Sequence, residues 1–277
     1  MPFFETNDHT SLYYRDWGTG TPVVFVSAWS LSGAMWEYQM LALSDQGLRC
    51  IAYDRRGHGR SDDPGSGYQF DTLSDDLAAL LTHLNLKGVT LVGNSTGCCE
   101  IIRYLSRHGT DRIARVVLTS TRTPFLTKTE DNLEGVPKVF LDQANVALTT
   151  DRPLYMESGT IKYFGLGSRW PIGGEVLSSA MVQWMVRLIL EASPKAILEL
   201  SRAAIETDFR SEMSACTVPT LIIHGGNDQG APLNLCGRRT AQAIPGSQLK
   251  VYEDAAHGLF LTHRDRLTSD LLDFIRS

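Results

Sequence analysis

One serine in this chain stands where an apolar run meets a helical pattern. The stretch Val89-Thr90-Leu91-Val92-Gly93-Asn94-Ser95-Thr96-Gly97 leads from β-branched residues into Gly-x-Ser-x-Gly, and an amphipathic segment from Cys98 to about Leu105 follows. In the order strand, tight turn, helix, this pattern is a nucleophile elbow. The turn is so sharp that side chains at positions 93 and 97 would collide with strand or helix, and glycine removes them. Ser95 Oγ is then exposed above the carboxyl edge of a sheet, at the positive end of a helix. Alone, the pattern equally describes an ordinary glycine-rich turn, so the rest of the chain must supply partners.

A serine hydroxyl is a weak nucleophile near neutral pH and needs a base, which needs an orienting group. Of the seven histidines, His9 lies in a turn, His83 and His108 end helical patterns, and His224 ends a strand. His58 lies in a glycine-rich loop and His263 starts the last helix. His257 stands in Glu253-Asp254-Ala255-Ala256-His257-Gly258-Leu259, directly after the final strand and on the edge that carries Ser95. The orienting carboxylate should lie on that edge too. Thr121-Arg122-Thr123 offers no acid, whereas Gly225-Gly226-Asn227-Asp228-Gln229-Gly230 offers Asp228. Asp54 competes, but it reads as a brace for its own Arg-Arg-Gly-His-Gly loop. Donors for a developing oxyanion are expected from the Thr96 N–H and from the loop after Val26, with Trp29 the best candidate. Ser27, Ser30, Phe125, Tyr155, Trp184 and Leu259 are the candidates to line the substrate pocket.

These residues require a particular scaffold. Strand patterns occupy Thr10–Trp17, Pro22–Val26, Cys50–Tyr53 and Ala114–Ser120, with helical patterns near Met35–Ser44 and Thr72–Leu84. Strands alternating with helices imply a mainly parallel sheet covered by helices on both faces. From about Arg122 to Ala215 the strands stop, and helical patterns span Lys138–Leu148, Val176–Ala192 and Pro194–Ile205. Gly165-Leu166-Gly167 and Pro171-Ile172-Gly173-Gly174 interrupt them. The strand pattern returns at Pro219–His224 and Leu249–Tyr252, and a last helix spans about Arg264–Ile275. The expected organisation is an α/β core of residues 1–121 and 216–277, with residues 122–215 inserted as a helical cap. Most of the cap's large residues, among them Phe140, Met156, Tyr163, Phe164, Trp170, Met181 and Met185, are expected to hold the cap together.

Bulk properties narrow the function classes. The 277 residues are 43% hydrophobic and 21% charged, with a net charge of −5 and no Lys/Arg run of the kind nucleic acid or an anionic membrane requires. No apolar stretch approaches the roughly 18 residues of a membrane span, and the N-terminus lacks a signal-peptide pattern. Five cysteines, an odd number with Cys98 and Cys99 adjacent, suit reduced thiols in a cytoplasmic protein. No Cys/His cluster has zinc spacing, so no metal site is expected. Self-association is left open.

The chain order Ser95, Asp228, His257 is that of an α/β-hydrolase, not of chymotrypsin or subtilisin. The chain resembles the bacterial non-haem haloperoxidase, aryl esterase and γ-lactamase group of that superfamily over nearly its whole length. The likeness is carried by Tyr14-Arg15-Asp16-Trp17-Gly18, by Trp29-x-Leu31-Ser32 with Trp36, and by Asp54-Arg55-Arg56-Gly57-His58-Gly59-Arg60-Ser61. It continues in Ser95-Thr96-Gly97, Arg107-His108-Gly109-Thr110, Glu206-Thr207-Asp208-Phe209, Asp228-Gln229 and His257-Gly258-Leu259 with Thr262-His263. The resemblance implies an α/β-hydrolase fold and a cofactor-free serine hydrolase, whose relatives oxidise halide through a peracid without metal. Three departures stand out. Ser27-Ala28 replaces the usual His-Gly, Gly226 replaces an acid and should loosen its loop, and Ser30 stands where perhydrolysing members usually carry proline. Cys98 and Cys99 replace small glycines and read as packing residues.

The leading expectation is a serine esterase cleaving carboxylic esters of small to medium, largely apolar acyl groups through an acyl-enzyme on Ser95. A lactonase, γ-lactamase or perhydrolase would use the same residues, and a slow-turnover ligand receptor would use the same fold.

Overall fold

The structure is a computed structural model that describes residues 2–166 and 177–277. The first half of the chain supplies β1 (Phe3–Glu5), β2 (Ser11–Trp17), β3 (Thr21–Val26), β4 (Leu48–Tyr53), β5 (Val89–Asn94) and β6 (Ile113–Thr119). The last quarter adds β7 (Thr220–Gly225) and β8 (Gln248–Tyr252), closing one sheet in the order β1-β2-β4-β3-β5-β6-β7-β8. Pairing from β4 through β8 is parallel, and only the β1-β2-β4 edge is antiparallel.

The apolar runs of the central strands follow from burial on both faces. Val24, Val26, Leu91, Val116 and Ile222 point into one core layer; Val23, Phe25, Val92, Val117 and Leu221 point into the other. Each such side chain, fully buried, contributes about 1.5–3 kcal/mol. After β3 come a 3₁₀ turn (Gly33–Trp36) and α1 (Glu37–Ser44), and after β4 comes α2 (Phe70–His83). α2 and α3 (Thr96–His108) cover the first layer, with Leu73, Leu77, Ile101 and Leu105 buried. Trp36 and Met40 help to fill the second.

Between β6 and β7 the described residues form four α-helices and no named strand: α4 (Lys138–Thr150), α5 (Arg152–Tyr163), α6 (Ser179–Leu190) and α7 (Pro194–Glu206). α5 has no counterpart in the helical patterns read from sequence, although its start is signalled. The Asp151 carboxylate accepts from Leu154 N–H at 3.0 Å, and Pro153 occupies the first turn. Its body hides the signal, since only Met156 and Thr160 are buried and no regular apolar stripe results. β1 was also unread, being three residues long and paired only with β2. The expected helix Val176–Ala192 is observed as the shorter α6; Val176, Gly167, Trp170 and Pro171-Ile172-Gly173-Gly174 lie outside the described residues. The chain ends with α8 (Gly237–Ala243), α9 (Leu259–Thr262) and α10 (Arg264–Arg276), whose Leu267 and Leu271 complete the second core layer. Among the described residues no helix is long and apolar enough to cross a membrane, and no cluster of His, Cys, Asp or Glu is placed to hold a metal ion.

Candidate active site

Ser95 lies between the last residue of β5 and the first of α3, with φ 56° and ψ −116°. A non-glycine residue there is strained, and its surroundings must hold it. Ser95 N–H donates to Thr119 O at 3.0 Å, and its carbonyl accepts from Cys98 N–H at 3.1 Å. The flanking glycines allow the approach. A Cβ at Gly97 would lie 2.4 Å from Val26 O, and one at Gly93 would lie 2.9 Å from Cys98 N. Strand, turn and the loop after β3 therefore meet at backbone contact.

Two further loops at the same sheet edge bring the other groups. β7 and β8 are neighbours, so the loops that leave their carboxyl ends lie side by side: Gly226 N–H donates to Tyr252 O at 2.8 Å and Asn227 N–H to Ala255 O at 3.0 Å. A Cβ at Gly226 would lie 2.6 Å from Glu253 O, so this glycine tightens the loop rather than loosening it as expected. Asp228 Oδ1 accepts from the Gly230 and Ala231 amides at 2.9 and 2.8 Å. Its Oδ2 lies 2.7 Å from His257 Nδ1, and His257 Nε2 lies 2.9 Å from Ser95 Oγ. Burial alone would raise the Asp228 carboxyl, but its electrostatic interaction and hydrogen bond with His257, aided by His224 and the Ala231 amide, hold it below its usual value. An ionised carboxylate only accepts, so Nδ1–H donates to Asp228 and leaves Nε2 free to accept the Ser95 proton. All three side chains are buried.

The loop after β3 is fastened from below. Arg55 donates to Ser27 O at 2.9 Å and to Ala28 O at 3.3 Å, and its Nε donates to Glu100 at 2.9 Å. Tyr53 OH also donates to Glu100. Burial pushes the Glu100 carboxyl well up and the Arg55 guanidinium down to about 10, and both groups that face Glu100 are hydrogen-bond donors. His58 Nε2 lies 2.9 Å from Trp29 O and its Nδ1 lies 3.0 Å from Arg56 O. Trp29 Nε1–H donates to Ile197 O of α7 at 2.7 Å, tying this loop to the helical insertion. Ala28 is buried without disturbing these contacts. Asp54 accepts from the Gly33 and Arg60 amides at 2.8 and 2.9 Å, which makes it the brace that the sequence suggested.

A cavity of about 340 Å³ opens onto Ser95 and His257, between this edge and the inserted helices. Trp29, Ser30, Tyr155, Met156, Tyr163, Phe164, Met185 and Ile189 help to wall it. The Tyr163 ring stands edge-on to His257 with centroids 4.9 Å apart, and its carbonyl accepts from Gly258 N–H at 2.8 Å.

The model of the family with the alpha/beta hydrolase fold matches residues 21–264. The chain belongs to that family. This α/β-hydrolase is 38% identical, over the full length of both chains, to a non-heme haloperoxidase of Rhodococcus erythropolis. It is 34% identical, again over both full lengths, to a bifunctional esterase/perhydrolase of Acinetobacter calcoaceticus. Among solved structures, an esterase from Exiguobacterium antarcticum superposes with a TM-score of 0.93 at 30% identity, covering 100% of this chain and 99% of that one.

Of the six residues expected to line the pocket of this hydrolase, Ser30 and Tyr155 do. Ser27 is buried beneath the loop, its carbonyl taken by Arg55. Phe125 faces the Arg210 guanidinium, 5.3 Å from its ring centre. Trp184 lies in a surface groove with Trp17, Tyr38 and Met181, because adjacent positions on a helix point about 100° apart and Met185 takes the cavity. Leu259 opens α9 and is fully buried in the second core layer. Phe140, expected to help hold the cap together, is 61% exposed. Tyr163 and Phe164, expected to hold the cap together, also wall the cavity. Sequence reading passed over Arg122, which lines the cavity; the search at that position was for an acid.

Proposed function

We propose that this α/β-hydrolase cleaves carboxylic esters of small to medium acyl groups through an acyl-enzyme on Ser95. The observation that carries the reading is the unbroken chain Asp228 Oδ2, His257 Nδ1, His257 Nε2, Ser95 Oγ at 2.7 and 2.9 Å. His257 takes the Ser95 proton as Oγ attacks the carbonyl, and Asp228 stabilises the imidazolium that forms. The Thr96 and Trp29 amides receive the oxyanion; neither donates to a protein acceptor among the described residues. His257 then protonates the leaving alcohol, and water repeats the sequence on the acyl-enzyme. Residues 122–215 act as a helical cap, closing a cavity whose volume suits a small ligand. The five cysteines are buried and free, which suits a reducing compartment such as the cytoplasm.

A second reading is perhydrolysis, in which hydrogen peroxide replaces water as acyl acceptor at the same serine. The likeness to the haloperoxidase and the esterase/perhydrolase favours it. The deciding experiment is a panel of p-nitrophenyl esters of rising chain length with and without peroxide, using Ser95→Ala as blank. Turnover peaking at short to medium chains is expected. Ligand binding without turnover in wild type would leave a receptor in place of an enzyme.

A further inference from the structure

β6 runs between β5, which leads to Ser95, and β7, which leads to Asp228. The chain leaving its carboxyl end reaches Arg122 within three residues. Arg122 lines the 340 Å³ cavity together with Ser95 and His257, and it also lines an adjoining cavity of about 200 Å³. The two share Trp29, Tyr155 and Gly230 as well. Among the described residues no Asp or Glu lines either space, while Lys162 adds a second cationic side chain to the larger one.

Among the described residues the other buried guanidiniums are matched. Arg55 is held by Glu100 and Arg56 by Asp76 and Asp8. Arg122, among the described residues, has no carboxylate partner, and its Nε is enclosed without a hydrogen-bond acceptor. An enclosed donor left unmatched costs about 1–3 kcal/mol, more where it carries charge. The charge is felt locally: burial pushes the Tyr155 phenol up, and Arg122 opposes that shift. The cavity that holds Ser95 and His257 thus carries a cation to which the described residues supply no counter-ion.

We infer that Arg122 docks a carboxylate carried by the substrate, so that the preferred ester or lactone is an anionic one, such as a monoester of a short dicarboxylic acid. The planar guanidinium presents paired donors at the spacing of a carboxylate's two oxygens. Met156, Phe164, Met185 and Ile189 then take the methylene chain between the two polar ends. The substrate class rests on the ester-hydrolase reading; the anion site itself does not.

The test compares monomethyl glutarate with dimethyl glutarate in wild type, Arg122→Met and Arg122→Lys, following acid release at constant pH. The ratio of kcat/KM for the monoanion to that for the diester should fall by about ten- to a hundredfold in Arg122→Met. It should fall less in Arg122→Lys, which keeps the charge and loses the fork. An equal ratio in wild type and Arg122→Met overturns the inference, and Arg122→Gln is read in its place if the methionine variant does not fold. If wild type cleaves neither ester, the hydrolase reading fails and glutarate binding by calorimetry decides the anion site. Binding weakened tenfold or more in Arg122→Met upholds it; equal binding, or none by wild type, overturns it.

Discussion

The two walls of the cavity are built by different means. The sheet-edge wall consists of loops, yet each loop is fixed by buried hydrogen bonds: Arg55 on Ser27 and Ala28, Asp228 on Gly230 and Ala231, His58 on Trp29. The opposite wall consists of regular helices that are less deeply fixed. Its own core is small, centred on Leu148, Met156, Ala192 and Ile197, and Val139, Phe140, Val146 and Leu154 are each more than half exposed. Regular secondary structure is therefore a poor guide to which wall is rigid. On the proposed reading the loops hold atoms that must stay within tenths of an ångström, and the helices hold a shape that sets which substrates fit.

If this division is right, substitutions in the loop wall should abolish chemistry, whereas those in the helical wall should shift preference. The largest effects belong to the three hydrogen-bonded residues. Ser95→Ala, His257→Ala and Asp228→Asn should each lower kcat by roughly three orders of magnitude or more, with thermal unfolding unchanged within a few degrees. A fluorophosphonate should label wild type once, at Ser95. Near-wild-type turnover in Ser95→Ala, or a label on another residue, would remove the loop wall's claim to the chemistry.

Next comes the support beneath the loop after β3. Glu100→Ala leaves the Arg55 guanidinium buried without its counter-ion and should destabilise the fold by about 3–5 kcal/mol. On the helical wall, Lys138 pairs with Asp142 at 2.8 Å on an exposed face, and Lys138→Ala should change stability by no more than about 0.5 kcal/mol. Urea midpoints for both variants measure the contrast, and similar losses would erase it.

His58 gives the contrast a pH signature. Burial, followed by the nearby Arg55 charge, pushes this imidazole down to about 4 from an ordinary 6.5. As pH falls through 6.5 the unfolded chain takes up a proton that the folded chain refuses, so stability is lost between about pH 6.5 and 4 and is unaffected above. Between pH 7.5 and 4.5 this amounts to about 2–3 kcal/mol. His58→Gln should lose correspondingly less over that interval in urea titrations. An identical pH dependence in the variant would mean that some other group accounts for the acid sensitivity.

The same division explains what was legible in the sequence. Ser95, Asp228 and His257 could be named because each follows a strand whose apolar run is unmistakable, and a parallel sheet gathers such positions on one edge. The fold followed from the same runs. Arg122 meets that positional rule equally well, but a rule that seeks an orienting carboxylate does not select a cation. The helical wall resisted for a different reason. Which side of α6 faces the cavity depends on how α5 and α6 dock, and one position of rotation exchanges Met185 for Trp184. Phe125 and Leu259 were likewise placed by docking rather than by local pattern. Glu100 looked like one more polar residue on an amphipathic helix; only the fold shows that Arg55 reaches it.

The smallest expected effect lies in the loop wall and tests whether one carbonyl there selects the acyl acceptor. Leu31 N–H donates to Ala28 O at 3.3 Å, so Ala28-Trp29-Ser30-Leu31 is a β-turn with Ser30 in its third place. Ser30 is not among the residues with positive φ, which sets the turn apart from type II. Within it, Trp29 O faces His58 Nε2 at 2.9 Å, and His58 does not line the cavity. Proline at the third place of a type I turn forces the preceding residue out of the α region. Ser30→Pro should therefore rotate the Trp29 peptide and release its carbonyl from His58. A carbonyl turned toward Ser95 can accept a hydrogen bond from bound peroxide, which favours peroxide over water. Wild type is expected to hydrolyse esters well and perhydrolyse weakly, and Ser30→Pro to raise the ratio of peracid formed to ester hydrolysed by a few-fold. Peracid formation from acetate and peroxide, followed by halide oxidation, measures it beside the esterase rate. If Ser30→Pro keeps its esterase activity and the ratio does not move, the Trp29 carbonyl has no part in choosing the acceptor.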